Sequence, residues 1–123
     1  MQNSINWFDI PAVDFERAVK FYETILEVTL HQEGLGGTMN GIFPADREGT
    51  TGAVCSGPGY APSADGSIVY LNANEKLDAI LSRVEAAGGQ VIRPKTAIGP
   101  FGHIAWFLDC EGNRVGLHAE PTE

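Results

Sequence analysis

Apolar residues along this chain fall into two helical stripes set among stretches of shorter period. Phe15, Ala18, Val19, Tyr22, Ile25 and Leu26 recur three and four residues apart and predict one amphipathic helix. Asp14 stands just before it as a candidate N-cap. Leu77, Ile80, Leu81, Val84 and Ala87 predict a second helix, with Asn74 as its candidate cap and Gly88-Gly89 as its stop. Strands are expected over residues 5–12, 67–72, 90–93, 103–108 and 115–118. Glu111-Gly112-Asn113 reads as a hairpin turn, and the Gly/Pro-rich stretch 57–63 as a loop at the chain's midpoint.

The two halves resemble each other. Glu48-Gly49, then Gly52-Ala53-Val54-Cys55, then Pro58 are echoed by Glu111-Gly112, Val115-Gly116-Leu117-His118 and Pro121 at one constant offset. Each half runs strand, helix, further strands. The expected fold class is therefore α+β: two βαβββ modules forming an open, cup-shaped mixed sheet with helices outside, a single domain over 1–123 with module one at 1–60 and module two at 64–121. Alternation along the strands places Phe8, Ile10 and Ala12 on the helix-covered side and Trp7, Asp9 and Pro11 toward the pocket. Val115 and Leu117 then belong to the core, and Gly116 and His118 to the pocket face. The repeat puts Ala53 and Cys55 on that face too, and sets Ser67, Val69 and Leu71 level with Trp7, Asp9 and Pro11.

Composition narrows the function. The 123 residues carry a net charge of −8, with 8 Lys and Arg against 16 Asp and Glu. Phosphate backbones are held by clustered cations, so nucleic acid is not an expected partner; Arg93 and Lys95 are the nearest approach to a basic pair. No apolar run approaches membrane-spanning length, and no membrane partner is expected. Met1-Gln2-Asn3-Ser4 shows no basic region leading into an apolar stretch, so no secretion signal is read there. Cys55 and Cys110 form no CxxC pattern and read as free thiols in a reducing cytoplasm. No P-loop or dinucleotide fingerprint exists, and the glycines at 34, 36 and 37 read as a turn.

Asp14-Phe15-Glu16-Arg17-Ala18-Val19-Lys20-Phe21-Tyr22 resembles the D-hydrophobe-x-R-A-x-x-F-Y signature of the vicinal oxygen chelate (glyoxalase, bleomycin resistance protein, dioxygenase) superfamily. Phe107-Leu108-Asp109-Cys110-Glu111-Gly112-Asn113-Arg114-Val115 resembles its second signature, with Cys110 in place of the usual proline. The resemblance spans the whole chain and implies the paired-module fold, a small-molecule partner and a homodimer, sometimes with modules exchanged between chains. It does not settle the chemistry, because this fold serves several reactions and some pure binders. Metal-using members place His or Glu at four pocket positions. Counted from the signatures, these are Trp7, Ala53, Ser67 and Gly116 here. An indole, a methyl, a hydroxyl and a hydrogen make no shell for a divalent cation, so no metal ligand and no cofactor is expected.

Asp9, beside Trp7 in an apolar strand, is the first candidate for catalysis, as a general base or a ligand anchor; the alternative is a solvated or arginine-paired carboxylate. His118 is a second candidate, for proton transfer, against a surface histidine near the C-terminus. His103 opens an apolar strand and reads as structural or catalytic. His31 reads as exposed. Candidate ligand-binding residues are Trp7, Asp9, Cys55, Ser67, Val69 and His118, with Trp7 lining the pocket and Trp106 in the core. No neighbour in sequence lowers the Cys55 pKa, which speaks against a nucleophilic thiol. Three functions follow: a metal-free small-molecule binding protein; a metal-independent glyoxalase-like lyase, isomerase or epimerase using Asp9 with His118 or His103; and a metalloenzyme with a site relocated to Asp9, His103 and His118.

Overall fold

The structure, a computed structural model, describes residues 3–121. Met1 and Gln2, on which part of the N-terminal reading falls, lie outside the described residues, as do Thr122 and Glu123. The chain divides into two compact units, one up to Pro62 and one from Ser63 onward. Each is a four-stranded mixed sheet carrying one α-helix, so the α+β architecture stands.

In unit 1 the elements are β1 (Asp9–Pro11), α1 (Phe15–Leu26), β2 (His31–Leu35), β3 (Thr38–Ile42) and β4 (Ala53–Ser56), in sheet order β1-β4-β3-β2. The Asp14 carboxylate caps α1 by accepting from the Arg17 amide at 3.2 Å. The helix ends on Glu27 in the left-handed conformation. Its buried stripe of Phe15, Ala18, Val19, Phe21, Tyr22 and Ile25 packs over the sheet, and each fully buried large apolar side chain contributes on the order of 1.5–3 kcal/mol. Gly41 lets the helix come down: a Cβ there would sit 2.9 Å from Val19 Cγ2. The Tyr22 ring meets Phe43 edge-on at 5.6 Å and Phe43 meets Phe8 at 5.7 Å.

β1 runs parallel to β4 with Asp9 opposite Ala53, Ile10 opposite Val54 and Pro11 opposite Cys55. Ile10, Val54 and Gly41 lie beneath the helix, as alternation requires. Asp9, Pro11, Ala53, Cys55 and Asn40 share the opposite face. The ladder is shorter than the 5–12 expected, because before Asp9 only the Phe8 carbonyl still joins it, accepting from Ala53 N. The β2–β3 hairpin, turning at Gly36-Gly37, had no strand signal: His31, Gln32 and Glu33 are polar and exposed on an edge.

In unit 2 the elements are β5 (Tyr70–Asn72), α2 (Leu77–Val84), β6 (Gln90–Ala97), β7 (His103–Leu108) and β8 (Arg114–Ala119), in order β5-β8-β7-β6. The N-cap of α2 is Lys76, not Asn74; Asn74 Oδ1 is engaged instead by the Glu120 amide at 2.7 Å. The helix stops before Ala87, and Gly89 N bonds back to the Val84 carbonyl. The Asp109–Asn113 turn needs no proline. Asp109 Oδ1 accepts from the amides of Glu111 and Asn113 at 2.9 Å each, which is enough to hold it closed around Cys110.

Here β5 runs parallel to β8 with Tyr70 opposite Gly116, Leu71 opposite Leu117 and Asn72 opposite His118. Since Gly116 matches Ala53, Tyr70 matches Asp9. The expected correspondence of Ser67, Val69 and Leu71 with Trp7, Asp9 and Pro11 is therefore one residue out. Leu71 and Val69 belong with the helix side, Ser67 lies before the strand, and Tyr70 holds the open-face position. Three further bounds differ: strand 67–72 begins only at Tyr70, strand 90–93 extends to Ala97, and strand 115–118 runs Arg114–Ala119.

Candidate functional site

The open face of unit 1 gathers polar groups around Asp9. Its Oδ1 accepts from Trp7 Nε1 at 2.9 Å and from the Cys55 thiol at 3.2 Å, and its Oδ2 accepts from the Tyr60 hydroxyl at 3.4 Å. Asn40, opposite Cys55 in the ladder, places its Oδ1 3.2 Å from the same sulfur. A thiol carries one proton, so it serves Asp9 and Asn40 alternately. β1, β3 and β4 position Asp9, Asn40 and Cys55, and the loop after β4 supplies Tyr60. Trp7 and Asp9 are exposed, whereas Cys55 is fully covered. That coverage pushes the Cys55 thiol from 9.0 up to about 12, with the Asp9 hydrogen bond and charge adding to burial. The Tyr60 phenol is raised as well, chiefly by the Asp9 charge and then by Cys55. The cluster therefore presents a carboxylate whose two oxygens already serve three donors of the protein, with protonated sulfur and phenol beside it.

The open face of unit 2 is aromatic and cationic. The Tyr70 ring packs against Gly116, where any Cβ would overlap it. Trp106 Nε1 donates to Tyr70 Oη at 2.8 Å. Arg93 and Arg114 stand over the Trp106 ring, their guanidinium carbons 4.8 Å and 5.4 Å from its centroid. Trp106 is thus a half-buried wall residue and not the core residue expected; its indole N–H needs a polar partner, and Tyr70 supplies one only on this face.

The remaining sequence candidates are dispersed. His118 lies on the open face of unit 2, where its Nε2–H donates to the Phe101 carbonyl at 2.7 Å. His103 pairs with Ala119 and so lies on the helix side, opposite in facing to His118. One cation site cannot therefore use both. His31 is exposed and paired with Glu33 at 3.0 Å. Ser67 is exposed, and Val69 contributes its carbonyl to the Gly116 amide at 2.8 Å. Sequence reasoning missed Asn40, Tyr60, Tyr70, Arg93 and Arg114. Tyr70 was recoverable by counting the parallel register back from Gly116; Tyr60 and Arg93 carried no local signal.

The resemblance carries the family's ligand positions to Trp7, Ala53, Ser67 and Gly116, and the register puts Ile68 level with Trp7. None offers imidazole or carboxylate, and the Tyr70 ring fills the space over Gly116. Among the described residues no three His, Cys, Asp or Glu side chains converge on a point that could hold a cation. The residues present do not fit the family's metal.

The chain belongs to the Glyoxalase/Bleomycin resistance protein/Dioxygenase superfamily, whose sequence pattern matches residues 4–117. Among curated proteins it is 29% identical over 120 residues to CFP32 of Mycobacterium bovis and of Mycobacterium tuberculosis, both carried under a provisional glyoxylase name. The match covers 94% of this chain and 45% of each relative, so the chain spans less than half their length. Among solved structures, the antibiotic binding protein TnmS3 from Streptomyces sp. CB03234 is 24% identical with a TM-score of 0.71, covering 97% of both chains. A glyoxalase/bleomycin resistance protein from Albidiferax ferrireducens T118 is 20% identical with a TM-score of 0.71, covering 97% of this chain and all of its own. At such identities these likenesses establish the fold. No helix among the described residues is long and apolar enough to cross a membrane.

Proposed function

We propose that this protein binds a small molecule without metal and returns it chemically unchanged. The observation that carries the reading is the state of Asp9: both carboxylate oxygens accept from Trp7, Cys55 and Tyr60, which is the arrangement of an anchored acceptor and not of a base waiting for a substrate proton. The misfit of Trp7, Ala53, Ser67 and Gly116 to a cation supports it, as does the fold likeness to an antibiotic binding protein. The histidines lend no support to the lyase or isomerase reading, since His118 is held by a backbone carbonyl and His103 lies on the helix side. The same reading takes the protein as a cytoplasmic homodimer, whose assembly sedimentation equilibrium measures.

The test has two arms. Protein purified without chelators and offered nickel, zinc, manganese and ferrous iron is analysed for bound metal, and metal well below one ion per chain is expected. The same protein is then titrated with bleomycin by tryptophan fluorescence, and the released compound is examined by mass spectrometry. Saturable binding with unaltered bleomycin supports the proposal. One tightly held metal per chain, or a transformed probe, would overturn it.

A further inference from the structure

We infer that unit 2 carries a recognition platform for an aromatic carboxylate, built from Tyr70, Trp106, Arg93 and Arg114; this rests on the small-molecule-binding reading and names the ligand class for it. The chain has only 8 basic side chains against 16 acidic ones, yet the guanidiniums of two of them lie over one indole. Like charges drawn to one spot repel, and neutralisation by a bound anion relieves that repulsion. No carboxylate among the described residues pairs with either guanidinium. Arg93 Nε and Arg114 Nε are both buried without a hydrogen-bond partner, while Arg114 Nη2 is held by the Gly66 carbonyl at 3.0 Å. Two guanidiniums short of acceptors match the paired oxygens of a carboxylate.

The backbone is built to put Arg93 there. Val91 pairs with Phe107, Arg93 with Trp106 and Thr96 with Ile104, with register shifts on both sides of Arg93. An unbroken ladder would set Ile92 opposite Trp106. The first irregularity inserts one residue and replaces that isoleucine by arginine, which is how bulges re-aim a side chain at a site. The corresponding β2–β3 ladder of unit 1 runs without a shift. The aromatic half of the ligand is specified by Tyr70. Its ring packs against Gly116, its hydroxyl accepts from Trp106 Nε1, and it is still 41% exposed, leaving aromatic surface for a planar ligand.

The platform is tested with full-length 15N-labelled protein, titrated at low salt with 2-naphthoate and with its uncharged counterpart 2-naphthamide. The Trp7 and Trp106 indole N–H signals, assigned with Trp7→Phe, report the site. Naphthoate is expected to move the Trp106 signal saturably and to bind about tenfold or more tightly than naphthamide. Arg93→Gln and Arg114→Gln should each weaken naphthoate far more than naphthamide and so remove most of that preference, and Arg93→Lys should retain part of it. Circular dichroism of each variant excludes unfolding as the cause. Equal affinity for the two probes, an unmoved preference in both glutamine variants, or a response confined to Trp7 would each overturn the platform. Saturable bleomycin binding with neither naphthalene probe bound overturns the platform alone; failure of all three probes removes the parent reading with it.

Discussion

Cys55 should be the slower of two very different thiols, native against unfolded, and the structure says by how much. Its pKa rises from 9.0 to about 12, so at pH 8 the thiolate population falls about 1,000-fold relative to the unfolded chain. A more basic thiolate is also a better nucleophile, with a Brønsted slope near 0.4–0.5, which returns roughly 20-fold. Ionisation alone therefore slows alkylation about 50-fold, and full burial adds to it. The assay is timed iodoacetamide labelling at pH 8, with Cys55 and Cys110 resolved by peptide mass spectrometry, in native protein and in protein unfolded by urea. Asp9→Asn removes the charge, the third cause of the shift, and leaves a weaker neutral acceptor for the thiol in place of the second, while burial, the largest, is untouched, so Cys55 should react severalfold faster in that variant and still well below the unfolded rate. A native rate within about threefold of the unfolded one would refute the reasoning. So would an Asp9→Asn variant that reaches the unfolded rate, since burial would then not be the main cause.

The same thiol couples to stability. Because its folded pKa is the higher one, its contribution is complete below pH 9 and is lost as pH rises toward about 12; the wild type should lose urea resistance between pH 8 and 10.5 more steeply than Cys55→Ala, and parallel curves would contradict this. Gly116→Ala sets a methyl into the Tyr70 ring, so a loss of about 1–3 kcal/mol by urea denaturation is expected, with a change in Trp106 fluorescence as Tyr70 moves; an unperturbed variant would mean the ring does not seal that position. Asp109→Ala frees the amides of Glu111 and Asn113 and the Asn113 side chain, held at 2.9, 2.9 and 3.0 Å, and should destabilise by about 2–4 kcal/mol on the same assay, whereas a cost under 0.5 kcal/mol would show that the turn holds itself.

Elements that bury one clean face were readable from sequence, and elements that do not were not. α1 announced itself because Phe15 through Ile25 keep a single stripe and Asp14 caps it. β7 was found because residues 103–108 form a strongly apolar run, and β8 because Val115 and Leu117 alternate into the core. β2 escaped because His31, Gln32 and Glu33 are exposed and an edge strand needs no apolar signal. Asn74 looks like a cap by type, yet its carboxamide is spent on the Glu120 amide, a tertiary contact that no local pattern carries. Asp9 and Trp7 were legible as a pair two apart on one strand. Cys55 and Tyr60, which donate to Asp9, lie 46 and 51 residues beyond it, and Asn40, which accepts from Cys55, lies 31 beyond; the pairing of β1, β4 and β3 and the loop after β4 bring them together. The one-residue error at Ser67, Val69 and Leu71 has the same root: parallel register is fixed by hydrogen bonding to β8, not by spacing along β5.

The two sheets share one pairing pattern but wear different side chains at matched places: Asp9 and Tyr70, Ala53 and Gly116, Cys55 and His118. What keeps each ladder in place, Ile10 on Val54 and Leu71 on Leu117, lies beneath the helices and is alike in both. The opposite face is under no such demand. A duplicated frame of this kind lets one half change its chemistry while the other stays as it was. New specificities can therefore arise through a handful of substitutions on a backbone that never has to be reinvented.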